Sequence, residues 1–175
     1  MKKIIYLSLL TMFLSPCLSA QDFGVSCEYF GFKATALNAQ SNEQDMATAV
    51  IKLYEKFEIS DNLNVVAKIG YALNFEFIPF ELGLALNLSD NLLLNIGGGL
   101  YQMTDERWVT SGLDGESASD NEMGLYAGIS YNFSKNLSLL LTFNSFEFPD
   151  SENPNSGLSL QGYSAGISYN FGSKF

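Results

Sequence analysis

The chain has 175 residues, enough for one domain, and is 47% hydrophobic and 14% aromatic, with nine Tyr and 14 Phe. Its 19 acidic and nine basic residues give a formal net charge of −10, which argues against nucleic acid or another polyanion as a partner. It contains no histidine, and this restricts the acid–base and nucleophilic chemistry open to it.

The first 20 residues have the composition of a secretory signal peptide. Lys2 and Lys3 give a positive start, an apolar run follows, and small residues occupy positions 18–20. The apolar run is too short to span a membrane as a helix. We therefore predict that residues 1–20 are cleaved and that residues 21–175 form the mature domain.

From residue 22 onward, short turns alternate with longer polar connections. Asp and Asn favour tight hairpin turns because they tolerate left-handed backbone angles. Ser-Asp-Asn or Ser-Lys-Asn, each followed by Leu, occurs at residues 60–62, 89–91 and 134–136. Longer connections are predicted at 38–47, 104–121 and 149–157, and a short one at 75–79. Three turns and four loops require eight strands, predicted at residues 22–36, 49–59, 63–75, 78–88, 92–103, 123–133, 137–148 and 158–171.

Most predicted strands alternate between an apolar face and a face of small or polar residues. The apolar rows are 9–11 residues long, as tilted transmembrane strands require, and aromatic residues gather near the row ends. The alternative is a water-soluble barrel or sandwich with the apolar face inside. The sequence disfavours it because only 16% of residues are charged and glycine recurs on the second face.

Two strands depart from simple alternation. The segment 29–32, with the sequence YFGF, breaks the phase of the first strand, which suggests a β-bulge. In the second strand, Glu55 falls on the apolar face. A bulge that turns Glu55 inward and a position near the membrane interface are both compatible with the sequence.

The last strand carries the most specific sequence signal. The heptapeptide AGISYNF occurs at residues 127–133 and again at 165–171, and Tyr169, Phe171 and the terminal Phe175 share its apolar face. A chain that ends on such an aromatic-rich strand with a C-terminal Phe resembles bacterial outer-membrane β-barrels. The mature segment resembles the small eight-stranded proteins of the OmpA-transmembrane-domain, OmpX/Ail and opacity-protein type.

This resemblance implies an all-β fold: an eight-stranded antiparallel up-and-down transmembrane β-barrel in the Gram-negative outer membrane, with short periplasmic turns and longer external loops. It also implies that outer-membrane lipid and lipopolysaccharide surround the barrel. In this family the barrel-assembly machinery recognises the last strand, so Tyr169, Phe171 and Phe175 are the expected assembly signal.

Charged residues also fall on the inward face of the first four predicted strands. An eight-stranded barrel has a lumen that side chains fill, so we interpret them as a packed polar network rather than an ion path or acid–base site. Lys68 and Glu81 are expected to interact, although a hairpin through residues 75–79 would leave them about two diagonal steps out of register. The predicted network comprises Glu28, Lys52, Lys56, Glu58, Lys68 and Glu81.

The composition favours a non-enzymatic protein without cofactor or metal. Ester hydrolysis by an activated serine normally needs a histidine base, and the enzymatic barrels of this family rely on histidine. The external loop 104–121 is acidic, and its spacing does not match an EF-hand. Candidate contact residues there are Arg107, Trp108, Asp114 and Glu116.

Two functions therefore remain open. The first is a structural or surface-interaction (adhesin-like) envelope protein whose acidic external loops contact a host or envelope partner. The second is a narrow channel for small solutes through a lumen lined by Gly and Ser.

Overall fold

The computed structural model describes residues 22–36, 43–74, 77–103, 121–149 and 157–172. Every strand pairs antiparallel with its sequence neighbours, and the last pairs back onto the first, so the barrel is closed. The predicted all-β up-and-down barrel is thus confirmed. Its strands in the described ranges are β1 Asp22–Ala36, β2 Glu43–Ser60, β3 Leu63–Ala72, β4 Phe77–Asn87, β5 Leu92–Met103, β6 Asn121–Asn132, β7 Leu137–Pro149 and β8 Gly157–Asn170.

In the described ranges we find no helix with the length and apolar character needed to cross a membrane. The predicted signal peptide at residues 1–20 lies outside the described residues.

The three tight turns lie where the sequence places them, and short polar side chains hold two of them. Ser134 Oγ accepts hydrogen bonds from the backbone amides of Asn136 and Leu137 at 3.3 and 3.1 Å. The Asn136 side chain donates to the backbone carbonyl of Asn170 at 2.6 Å, which ties this turn to β8. The Asn87 side chain donates to the Asp61 carbonyl at 3.0 Å, which links the first turn to the end of β4.

The second strand is longer than predicted, because it begins at Glu43 rather than residue 49 and so occupies part of the expected loop 38–47. Its first residues extend the β1–β2 hairpin, with Lys33 opposite Asp45 and Thr35 opposite Glu43. Backbone hydrogen bonds hold this extension together. Because it lies above the membrane, its side chains need not alternate between apolar and polar. A prediction based on alternating hydrophobicity therefore misses it.

The apolar rows face outward, as predicted. Large apolar side chains such as Leu82, Leu125 and Ile167 are 62%, 71% and 56% exposed. Such a surface is unfavourable in water and favourable in hydrocarbon, so the barrel presents a membrane-facing band.

The first strand contains no bulge, which corrects the expectation for residues 29–32. Its ladder with β2 runs without interruption from Asp22 opposite Lys56 to Thr35 opposite Glu43. The apparent break in phase arises because Phe30 and Phe32 point inward and are buried.

The ladder also places Glu55 on the outward row. Glu55 lies opposite Phe23 of β1 and Ala67 of β3, and the register shift of β2 comes later, between Glu58 and Ser60. No bulge therefore turns Glu55 into the lumen, and it lies near the short-turn end of the barrel, where its side chain is buried.

Candidate functional site

The centre of the barrel holds a buried cluster of four charged side chains from four consecutive strands. Lys52 of β2 lies between two carboxylates: its Nζ is 2.8 Å from Glu81 Oε1 and 3.4 Å from Glu28 Oε2. Lys68 Nζ lies 3.4 Å from the other oxygen of Glu81. Two lysines and two glutamates are thus held together, and we call this set the charge network.

Neutral side chains complete the surroundings of the two carboxylates. Ser26 donates to Glu28 Oε1 at 3.0 Å and Ser164 donates to Glu28 Oε2 at 2.9 Å. Tyr101 donates to Glu81 Oε1 at 3.3 Å. Glu81 Oε2 accepts no hydrogen bond from a described residue, so its stabilisation comes from the nearby charge of Lys68.

Aromatic rings and glycines give the charged side chains their space. Lys68 Nζ lies 4.4 Å from the ring centroid of Tyr126, a cation–π contact made across the lumen from β6. A methyl group on Gly70 would come within 2.7 Å of Lys52 Cγ, and one on Gly166 within 2.8 Å of Glu28 Cγ. Glycine at these positions therefore leaves the room that the long side chains occupy.

The expected contact between Lys68 and Glu81 is present, but its predicted register was wrong. The two residues lie directly opposite each other in the β3–β4 ladder. Pairing of β3 with β4 stops at Ile69 opposite Phe80, whereas its pairing with β2 on the other side continues to Ala72. The upper part of the hairpin is splayed, so counting back from a loop at 75–79 misplaced the register.

Lys56 and Glu58 do not join the charge network. Lys56 Nζ lies 3.3 Å from Asp22 Oδ2, and both side chains are partly exposed near the short-turn end. Glu58 is exposed at the same end, and no described residue forms an ion pair with it. The sequence predicted a network of three lysines and three glutamates, but the charge network contains two of each. Lys56 and Glu58 are excluded because they lie too far toward the short-turn end of the barrel.

An aromatic layer above the charge network was missed from the sequence. The rings of Tyr101 and Phe146 stack at 4.3 Å, and Phe30 and Phe77 lie 6.0 and 6.1 Å from Phe146. These positions share parity with the inward polar or small residues of their strands, such as Glu28 for Phe30 and Asn144 for Phe146, and that signal could have revealed them. With its smaller members the layer comprises Phe30, Phe32, Ala34, Val50, Ala72, Phe77, Tyr101, Phe146 and Leu160.

The two ends of the lumen differ in their packing. Between the charge network and the aromatic layer lies a void of about 10 Å³, the space of one water molecule. Below the network, a cavity of about 260 Å³ extends toward the short-turn end, lined mainly by hydroxyl and amide side chains such as Ser130, Asn95 and Thr142. Wide space in the lumen thus lies on the short-turn side of the network.

The remaining predicted site residues are only partly described. Arg107, Trp108, Asp114 and Glu116 of the acidic loop, and the terminal Phe175, lie outside the described residues. Tyr169 and Phe171 are exposed on the outward face of β8, with their rings 5.3 Å apart, and Phe171 stacks on Phe23 of β1 at 5.7 Å. The described residues also hold no group of three or more Cys, Asp or Glu placed to bind a metal ion.

A family model described as "Outer membrane protein beta-barrel domain" matches residues 18–171. The chain belongs to this outer-membrane β-barrel family. It is accordingly an integral barrel of the Gram-negative outer membrane, and in such proteins the short turns face the periplasm. A comparison with curated sequences gives no significant match.

Solved structures agree with the fold of this outer-membrane barrel. Ail, the attachment invasion locus protein of Yersinia pestis, is 13% identical, with a TM-score of 0.53 over 87% of this chain and 99% of Ail. Neisserial surface protein A is also 13% identical, with a TM-score of 0.50 over 85% of this chain and 97% of that protein. At this level of identity the comparison supports the fold alone.

The contact between Lys68 and Glu81 predicts non-additive effects on stability. Glu81→Gln alone leaves Lys68 without its carboxylate partner and should lower the free energy of unfolding by up to about 3–5 kcal/mol, less if water reaches the site. Lys68→Met alone should cost less, because Glu81 keeps Lys52 as a partner. The double variant should cost less than the sum of the two single changes. Urea unfolding of the refolded barrel in lipid vesicles measures all three. Additive costs would show that the two side chains do not interact.

Proposed function

We propose that the protein is a non-enzymatic structural and surface-interaction protein of the outer membrane, with a closed lumen and external loops that contact a partner. The closed lumen carries this proposal. It is supported by two successive layers of packed side chains, the charge network and the aromatic layer, with a void of about 10 Å³ between them.

The aromatic layer favours a closed lumen more strongly than the charge network does. A hydrated ion that entered between the rings of Tyr101 and Phe146, which stack at 4.3 Å, would lose its water without gaining a polar partner. The charge network could in principle rearrange around an ion, whereas the stacked rings provide no ligand for it.

A non-enzymatic role is supported by the chemistry available to the chain. Without histidine, no side chain of the sequence serves as the usual base for a serine nucleophile. In the barrel interior, the carboxylates of Glu28 and Glu81 are occupied by Lys52, by Lys68 and by hydroxyl donors. Glu28 borders the cavity of about 260 Å³, but its two carboxylate oxygens are held by Ser26, Ser164 and Lys52.

The second part of the proposal, contact with a partner molecule, depends on the acidic external loop. One structure of Ail holds the heparin analogue sucrose octasulfate. A polyanion is not proposed for this chain, because loop 104–121 contains Asp105, Glu106, Asp114, Glu116 and Asp120 against the single Arg107. A cationic or uncharged surface fits this loop better.

The alternative function is a narrow channel, and the cavity of about 260 Å³ is the feature that favours it. The cavity would form the periplasmic half of a solute path through the lumen. This path would reach the external side only if the charge network and the aromatic layer opened.

Planar-bilayer recording on the refolded mature chain separates the two functions. We expect no discrete conductance steps from the unmodified barrel. Phe30→Ala combined with Phe146→Ala removes two rings from the aromatic layer and provides the positive control. Ohmic conductance steps that occur with the unmodified protein, and are absent from a bilayer without protein, would contradict the proposal and favour the channel.

Surface interaction is tested on cells that display the protein. Asp114→Asn with Glu116→Gln, and separately Trp108→Ala, should reduce adhesion to cultured epithelial cells. The charge effect should weaken in higher salt. Asp61→Asn in a periplasmic turn is the matched control and should have no effect. Equal adhesion of all variants, at equal surface expression, would exclude these loop residues as the contact.

A further inference from the structure

The repeated heptapeptide AGISYNF has an inward face that contact with the membrane does not explain. In both copies, at residues 127–133 and 165–171, the apolar side chains face outward, whereas the serine and asparagine line the cavity of about 260 Å³. Ser138 of β7 lies between the copies, opposite Asn132 on one side and Ser168 on the other. Its hydroxyl donates to Asn132 Oδ1 at 2.7 Å. Strands β6, β7 and β8 thus present one wall of hydroxyl and amide groups to the cavity.

Deeper in the same cavity, three polar side chains keep hydrogen-bonding capacity. Asn95 Nδ2 donates to Ser130 Oγ at 2.7 Å, which leaves the Ser130 hydroxyl hydrogen and Asn95 Oδ1 without a partner among the described residues. The Thr142 hydroxyl also lines the cavity, and no described side chain bonds to it. A molecule in the cavity would therefore meet donors and acceptors that the protein itself does not use.

The wall formed by β2 to β5 is largely apolar between its charged ends. Val66, Ala85 and Leu93 form a buried cluster, and the side chain of Tyr54 packs against it. A methyl group on Gly24 would overlap the Tyr54 ring, so glycine there gives the ring its space. An apolar wall that faces hydroxyl and amide groups suits a molecule with an apolar face and a polar edge.

The charges around the cavity balance one another. Its described lining includes three lysines and three acidic residues: Lys56, Lys68, Lys135, Asp22, Glu28 and Asp90. Lys56 is paired with Asp22, and Glu28 and Lys68 belong to the charge network. An ionised molecule would lose water inside the cavity without gaining an unused opposite charge, which is unfavourable. A neutral polar molecule avoids this cost.

We propose that this cavity binds one neutral monosaccharide in its pyranose form, which enters from the periplasm. The C–H face of the sugar ring lies against Leu93 and Tyr54, and its hydroxyl groups hydrogen-bond with Asn95, Ser130 and Thr142. The cavity is smaller than the pockets of about 300 Å³ or more that hold drug-sized ligands, so it suits one sugar ring rather than an oligosaccharide. The charge network forms the inner end of the site, so binding requires no conducting lumen.

An NMR titration of the isotope-labelled, refolded mature chain tests the proposal, in micelles of a detergent without a sugar headgroup. The probes are the methyl glycosides of glucose, galactose and mannose, and the carboxylate and ammonium analogues of whichever binds most tightly. We expect at least one neutral glycoside to shift the signals of Asn95, Ser130 and Thr142 saturably. Each charged analogue should bind about tenfold more weakly, because its charge gains no partner.

Three variants assign the contacts. Thr142→Val and Asn95→Leu replace polar groups with apolar ones of similar size, and each should weaken binding about tenfold through the loss of hydrogen bonds. Asn144→Leu is the matched control, because this inward amide of β7 lines the small void beyond the charge network instead of the cavity. It should leave the affinity unchanged. A shift in gel mobility on heating verifies that each variant is folded.

No saturable shift with any of the three neutral glycosides would overturn the proposal, as would tighter binding of a charged analogue. Unchanged affinity in Thr142→Val would also overturn it, and this variant decides the question even if Asn95→Leu fails to fold. Shifts confined to the external loops would overturn the cavity site but leave the proposed surface interaction standing, so the two failures are distinguishable.

Discussion

The barrel interior depends on one buried cation, Lys52, held between Glu28 and Glu81. Removal of charges from water is costly, and such a group is tolerated only where opposite charges and hydrogen bonds surround it. Both carboxylates lie within 3.4 Å of Lys52 Nζ, and serine, tyrosine and a second lysine complete the cluster. Four strands are thereby linked across the lumen, and neighbouring glycines leave room for their long side chains.

This network determines what the rest of the lumen can do. The aromatic layer packs directly above it, and a cavity of about 260 Å³ lies below it. Among the described residues, packed side chains therefore fill the lumen toward the external end, and the cavity lies toward the periplasm. A scaffold of this kind leaves the external loops, the membrane-facing surface and the periplasmic cavity as the parts that meet other molecules. The proposed loop contacts follow from that division.

Alternation along each strand was enough to predict amphipathic strands and the inward direction of Glu28, Lys52, Lys68 and Glu81. The closed barrel was predicted from the resemblance to small outer-membrane proteins. It could not predict which charges meet, because contact across a barrel depends on the stagger between strands. Lys56 has the right parity yet pairs with Asp22 at the periplasmic end. Apolar residues on the inward face were also misleading: Phe30 and Phe32 suggested a bulge, although they share parity with Glu28.

Unfolding of Lys52→Met, alone and combined with Glu28→Gln, tests the central claim most directly. Loss of Lys52 leaves Glu28 without a cation and should cost about 3–5 kcal/mol, whereas Lys56→Met at the rim should cost about 1 kcal/mol or less. Adding Glu28→Gln leaves the neutral pair of Lys68 and Glu81 and should recover more than half of the loss. A Lys52→Met variant as stable as the unmodified protein, or no recovery in the double variant, would contradict the account.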